Sequence, residues 1–118
     1  MDCIFCRIDK AKRIIENEHF YVIEDRSPVT RGHLLIISKR HFEDYFGINA
    51  AEAVALSEIV KAAKDHLVGL YAPVAYNLGM NCGKQAGQSV FHFHLHLIPR
   101  YAKDNKVHGL REYIKEIL

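Results

Sequence analysis

Apolar and polar positions divide the chain into strands, one long helix and further strands. Phe20, Tyr21, Val22 and Ile23 form a run of strand formers, which with residues 13–17 predicts a hairpin over 13–17 and 19–25. Arg26-Ser27-Pro28 follows as a turn. HLLIIS at 33–38 is continuously apolar and predicts a buried strand. From Asn49 to about Leu70, Ala53, Leu56, Val60, Ala63 and Leu67 recur at helical spacing, and Asn49 with Glu52 can form a capping box. Residues 74–81 and 91–99 predict strands, 82–89 (CGKQAGQS) a glycine-containing loop, and the tail from Val107 a short helix. This order predicts an α+β fold: an antiparallel sheet with helices on one face.

The segment at 91–98, Phe-His-Phe-His-Leu-His-Leu-Ile, alternates strictly. On a strand, alternate residues share a face about 6.6 Å apart. Phe91, Phe93, Leu95 and Leu97 would then fill a core, while His92, His94 and His96 line the opposite face. A solvated strand face more commonly carries Lys, Glu or Thr, so three histidines in register point to chemistry. Such imidazoles can ligate a metal, or they can serve a phosphate as nucleophile, acid and hydrogen-bond donor. Gly83, Gly87 and Ser89 lie just before the strand, where bare backbone N–H groups and a hydroxyl can cradle an oxyanion. That loop favours the phosphate reading.

Composition narrows the picture. A chain of 118 residues fits one domain, spanning 1–118, with enough core to need no covalent staples. The net charge of +2 gives no electrostatic footprint for nucleic acid. No run of 18 apolar residues predicts a membrane span, and the start lacks the layout of a signal peptide, so a cytoplasmic location is expected. Three cysteines without a secretion signal argue against a disulfide framework.

The segment NCGKQAGQSVFHFHLHLI, from Asn81 through Ile98, resembles the signature of the histidine-triad (HIT) nucleotide-binding family, His-x-His-x-His followed by two apolar residues. The resemblance extends to Cys3-Ile4-Phe5-Cys6, to Asp25-Arg26-Ser27-Pro28 and to the stretch from Gly32-His33 to His41. It implies a HIT-like fold, an antiparallel five-stranded sheet with one long helix and short helices packed on it. It implies a hydrolase or nucleotidyl transferase in which His94 attacks the α-phosphorus of a purine nucleotide and water then releases a nucleoside monophosphate. The substrates implied are purine nucleoside 5′-phosphoramidates or related phosphoanhydrides. The rivals are a dinucleoside polyphosphate hydrolase, a nucleotide-binding scaffold with little turnover, and a metalloenzyme that uses the triad as ligands.

By the same resemblance, His96 would bond the phosphate oxygens, Ser89 would face the leaving group, and His92 and His33 would complete the catalytic set. Gly87, Gln88, Ser89 and Asn81 would lie against the phosphate. Asp25 matches the ribose-binding acid; as a residue it reads equally well as a turn aspartate. Ile4, Phe5, Ile8 and Ile23 fall where the family sandwiches the base. Arg26 stands where an apolar residue commonly contacts sugar or base.

Cys3-x-x-Cys6 is a zinc half-site spacing that needs two further ligands. The resemblance offers His41 and His92, which would make a structural zinc site tying the N-terminus to the sheet. The spare ring nitrogen of His92 would then orient the catalytic side. No organic cofactor is expected. A homodimer that joins two sheets is implied, whereas the tryptophan-containing tail of phosphoramidase-type members is absent, since the chain has no Trp. His19, His66 and His108 lie outside the motif.

Overall fold

The computed structural model describes residues 3–104; the helix expected from Val107, and His108 with it, lie outside the described residues. Strands β1 (Ile15–Glu16) and β2 (Phe20–Glu24) form the expected hairpin. Its turn is closed by one side chain: Asn17 Oδ1 accepts the N–H groups of His19 and Phe20 at 3.0 and 2.9 Å. The same amide donates to the Ala55 carbonyl on the helix, so it ties the hairpin to the layer above.

Strand β3 (Leu34–Ser38) lies between β2 and β5 (His94–Arg100), and β4 (Ala75–Gly79) is the edge strand beyond β5. The order β1-β2-β3-β5-β4 is antiparallel throughout. Every residue of β3 is buried, because both of its faces are covered; this is why it reads as an unbroken apolar run. Gly32, at φ +86°, leads into β3, and a Cβ there would stand 3.0 Å from Leu67 and Tyr71. Both the backbone conformation and the close helix therefore require glycine.

Helix α1 (Ala50–Tyr71) begins at the expected capping box, with Asn49 accepting from the Glu52 N–H and Glu52 from the Asn49 N–H. Its buried line is Ala55, Ile59, Ala63 and Leu67. Ala53, expected inside, is exposed, and Leu56 and Val60 are half-buried flankers. The rotation follows from Glu52, which turns inward to a two-pronged bond with Arg40 (2.8 and 2.9 Å) and carries Ala55 and Ile59 onto the sheet.

The main core joins α1 to Phe20, Val22, Leu34, Ile36, Phe93, Leu95 and Leu97. The other sheet face is not left bare, as helices on one side would imply. Tyr21, Ile23, Leu35 and Ile37 pack there under Phe5, from the 3₁₀ turn Ile4–Arg7, with Cys3, Ile8 and Val90 at the margin. The last strand also starts later than the alternation suggests. At 91–93 the chain leaves the ladder, and the Phe93 N–H bonds to the Phe42 carbonyl at 2.7 Å. Phe91 is consequently 43% exposed instead of sharing the core with Phe93. Among the described residues no helix is long and apolar enough to cross a membrane.

Candidate active site and metal centre

His94 and His96 lie across from Ile37 and Leu35 of β3, so their rings stand on the face covered by the N-terminal turn. The Phe5 ring meets His94 edge-on with centroids 5.0 Å apart, and the His94 and His96 rings lie 5.4 Å apart. His33, immediately before β3 and 1% exposed, places Nε2 2.9 Å from His96 Nδ1. Asp25 Oδ2 lies 3.4 Å from the same His33 nitrogen and 3.7 Å from His96 Nδ1.

The partner on the second nitrogen of each ring assigns its tautomer. His94 Nδ1 donates to the His92 carbonyl at 2.9 Å, which leaves Nε2 with its lone pair exposed. Val29 donates its backbone N–H to His33 Nδ1 at 3.0 Å, so the His33 proton sits on Nε2 and is given to His96 Nδ1. His96 must then carry its own proton on Nε2. One backbone donor thus sets a chain that ends in a donor on His96, beside a bare nitrogen on His94.

Burial keeps these rings neutral. It is the main force lowering the pKa of His94, with the bond to the His92 carbonyl and the Asp25 charge opposing it. Burial also lowers His33, against Asp25 and with help from Arg100. His96 is pushed down to about 3, by burial first and then by His94 and His33. The Asp25 carboxylate therefore lies beside neutral rings and acts on them through its charge, which raises both against the pull of burial.

The third triad member turns elsewhere. His92, fully buried, donates Nε2–H to the Ser38 carbonyl at 2.7 Å. Its bare Nδ1 faces Cys3 Sγ at 3.3 Å, Cys6 Sγ at 3.5 Å and His41 Nδ1 at 3.0 Å, and Cys6 Sγ is 3.3 Å from His41 Nδ1. Zinc bonds of about 2.3 Å to sulfur and about 2.0 Å to nitrogen set tetrahedral separations of about 3.5 Å for S–N and about 3.3 Å for N–N. The four groups thus fit a tetrahedral cation. Burial, and then the adjacent Cys3 thiol, push Cys6 up, a cost that a bound cation would reverse. Asp25, His33 and His96 also converge, yet they do not fit a metal: the Val29 N–H forces a proton onto the His33 nitrogen that faces the cluster.

The resemblance implies that the spare ring nitrogen of His92 orients the catalytic side. The ring is instead spent on Ser38 and the cysteine cluster, and the link to His94 is the His92 carbonyl. Gln88 differs too. Its side chain is buried, bonding the Gly83 N–H and the carbonyls of Glu43 and Val90, so it braces the loop and does not face a phosphate. Gly87, at φ +99°, closes the turn Lys84–Ala86, and Ser89 beyond it is exposed. Asn81 is half-buried just past β4. Phe5, Ile8 and Ile23 lie together, whereas Ile4 points outward, 53% exposed. Asp25 Oδ1 accepts the Ser27 N–H at 2.8 Å, so the acid builds its own turn as well as facing His33. Val29 and the Ser38 and His92 carbonyls went unseen in the sequence, because a backbone group has no residue-type signature.

Residues 8–103 match the model of the HIT domain. This chain belongs to the HIT family. Protein hit of Bacillus subtilis (strain 168) is 38% identical over 110 residues, 86% of this chain and 73% of that protein. The fold of this HIT protein is similar to the crystal structure of a HIT family protein from Bacillus anthracis str. 'Ames Ancestor', with a TM-score of 0.79 and 38% identity over 98% of this chain and 88% of that one. It is also similar to a Zn-bound histidine triad family protein from Mycobacterium smegmatis, with a TM-score of 0.76 and 31% identity over 98% and 94% of the two chains.

Proposed function

We propose that this HIT protein hydrolyses purine nucleoside 5′-phosphoramidates or related phosphoanhydrides through a nucleotidyl intermediate on His94. The observation that carries the reading is the bond from His94 Nδ1 to the His92 carbonyl, which aims a bare Nε2 from a neutral ring. The Nε2 lone pair forms a bond to the α-phosphorus. The bond from phosphorus to the leaving nitrogen breaks, and that nitrogen keeps the electron pair and takes a proton from water. Water then attacks the same phosphorus, the bond to His94 breaks, and the nucleoside monophosphate departs. His96 Nε2–H donates to a phosphoryl oxygen throughout, its tautomer held by His33 and Val29.

The Gly87–Ser89 turn supplies further donors. Asp25 takes the ribose hydroxyls on lone pairs not used by Ser27, each carboxylate oxygen having two. Phe5, Ile8 and Ile23 offer the base an apolar bed. Cys3, Cys6, His41 and His92 would hold a zinc ion, which supplies structure by fastening the N-terminal turn beside β5. Edge strand β4, flanked by exposed Val74 and carrying exposed Leu78, supports a twofold dimer that continues the sheet.

Replacing the nucleophile tests the reading. His94→Ala should lower kcat on an adenosine 5′-phosphoramidate by about 10⁴-fold or more while AMP still binds. Turnover that survives the substitution would refute it.

A further inference from the structure

Two side chains that no step above uses, Tyr21 and Arg13, converge on the segment that supplies the base bed. Strand pairing sets Tyr21 opposite Ile37 and Ile37 opposite His94. The three therefore form one row across β2, β3 and β5, on the face covered by the N-terminal turn. Phe5 bridges that row. Its ring meets His94 edge-on at 5.0 Å, and its backbone carbonyl accepts a hydrogen bond from the Tyr21 hydroxyl. Tyr21 is 1% exposed, so without that carbonyl its hydroxyl would be buried unpaired.

Arg13, half-buried on the approach to β1, completes the hold. Its guanidinium carbon lies 4.1 Å from the centre of the Tyr21 ring. Its Nη2 donates to the Ile8 carbonyl at 3.3 Å and its Nη1 to Glu16 at 3.1 Å, and Lys39 fixes Glu16 in turn at 3.2 Å. The planar fork thus stacks on one residue while bonding two others, which a lysine cannot do. Both the Tyr21 and the Arg13 bond fall on backbone carbonyls of the same short stretch. That stretch has little regular structure of its own, a four-residue 3₁₀ turn, Ile4–Arg7, whose N-cap makes no side-chain bond. The cysteine cluster does not duplicate the hold. Cys3 and Cys6 turn their sulfurs to His92 and His41, and Ile8 stands two residues beyond Cys6.

We propose, resting on the base bed assigned above, that Tyr21 and Arg13 are positioning residues that hold Phe5 and Ile8 in the conformation that receives the base. A bed already in place spares the ligand the entropy of ordering it. A bed that is only partly populated weakens binding by the fraction that is competent. The reacting rings are oriented by other groups, the His92 carbonyl and His33, so the effect falls on affinity and not on the chemical step.

The test follows AMP binding, kinetics on an adenosine 5′-phosphoramidate, metal content and urea unfolding in variants of the whole chain. Tyr21→Phe, which removes only the hydroxyl, should raise the Kd of AMP and KM about fivefold each, the scale of one buried hydrogen bond, with kcat within about twofold and metal content unchanged. Arg13→Ala should raise both about threefold, and Arg13→Lys should match it, because the fork and not the charge makes the hold. Unchanged Kd and KM in Tyr21→Phe, or a fall in kcat alone, overturns the proposal, whatever happens to the urea midpoint. Weakened binding that comes with loss of metal also overturns it, since the effect then runs through the cysteine cluster. Wild-type affinity in Arg13→Lys would reduce Arg13 to a charge and overturn its part. AMP binding does not depend on turnover. A wild-type protein that binds AMP without hydrolysis dependent on His94 would therefore overturn the hydrolase reading alone, and one that binds no AMP would overturn both.

Discussion

His94 and His96 are the same residue type two positions apart, yet they take opposite roles because their second nitrogens meet opposite partners. A carbonyl on His94 Nδ1 makes a base of Nε2; a donor on His96 Nδ1 makes an acid of Nε2. The role of His33 is positional: it passes the Val29 N–H polarity on to His96. His33→Ala should lower kcat about tenfold or more with KM little changed, since only the alignment of the donor is lost. The pH profile follows from the same rings. His33 and His96 are both depressed below the free imidazole value of about 6.5, so the neutral cluster persists into acid and the acid limb of kcat/KM should fall below that pH. Asp25 raises both, so Asp25→Asn should move the limb to still lower pH. A shift upward would contradict the assignment.

At the level of elements, the alternation of His92 to His96 read as a two-faced strand, and β5 is one from His94 onward. The capping box of α1 was equally legible, and Asn49→Ala should cost about 1 kcal/mol in urea unfolding. Ile59, on the buried line, is worth more: Ile59→Ala should cost about 3 kcal/mol. The rotation of the helix was not legible, because apolar spacing could not anticipate a glutamate drawn inward by Arg40. Phe91 was misplaced for a related reason: a backbone bond from Phe93 to Phe42 ends the ladder early. Cys3-x-x-Cys6 showed half of a metal set, and only the fold brings His41 and His92 to it. Metal analysis should find about one zinc per chain, lost in Cys3→Ser and retained in His94→Ala; the reverse result would make the triad the metal site.

For the molecule as a whole, function and acid stability share one cause. His33 and His96 stay neutral when folded, while their unfolded forms take up protons below about 6.5. Between that pH and the folded value, about 3 for His96, the unfolded chain binds more protons, so stability falls as pH falls. His96→Gln should flatten that decline, read as Tm against pH. The sheet carries the site in one direction, from the cysteine cluster through His94 to Asp25, so an error at any point of β5 would disturb all three. The proposed chemistry begins at the bare nitrogen of His94. Protein quenched during turnover of an adenosine 5′-phosphoramidate should carry, by mass spectrometry, one adenylyl group on His94. An adenylyl group on another residue, or turnover in which none forms anywhere on the protein, would contradict it.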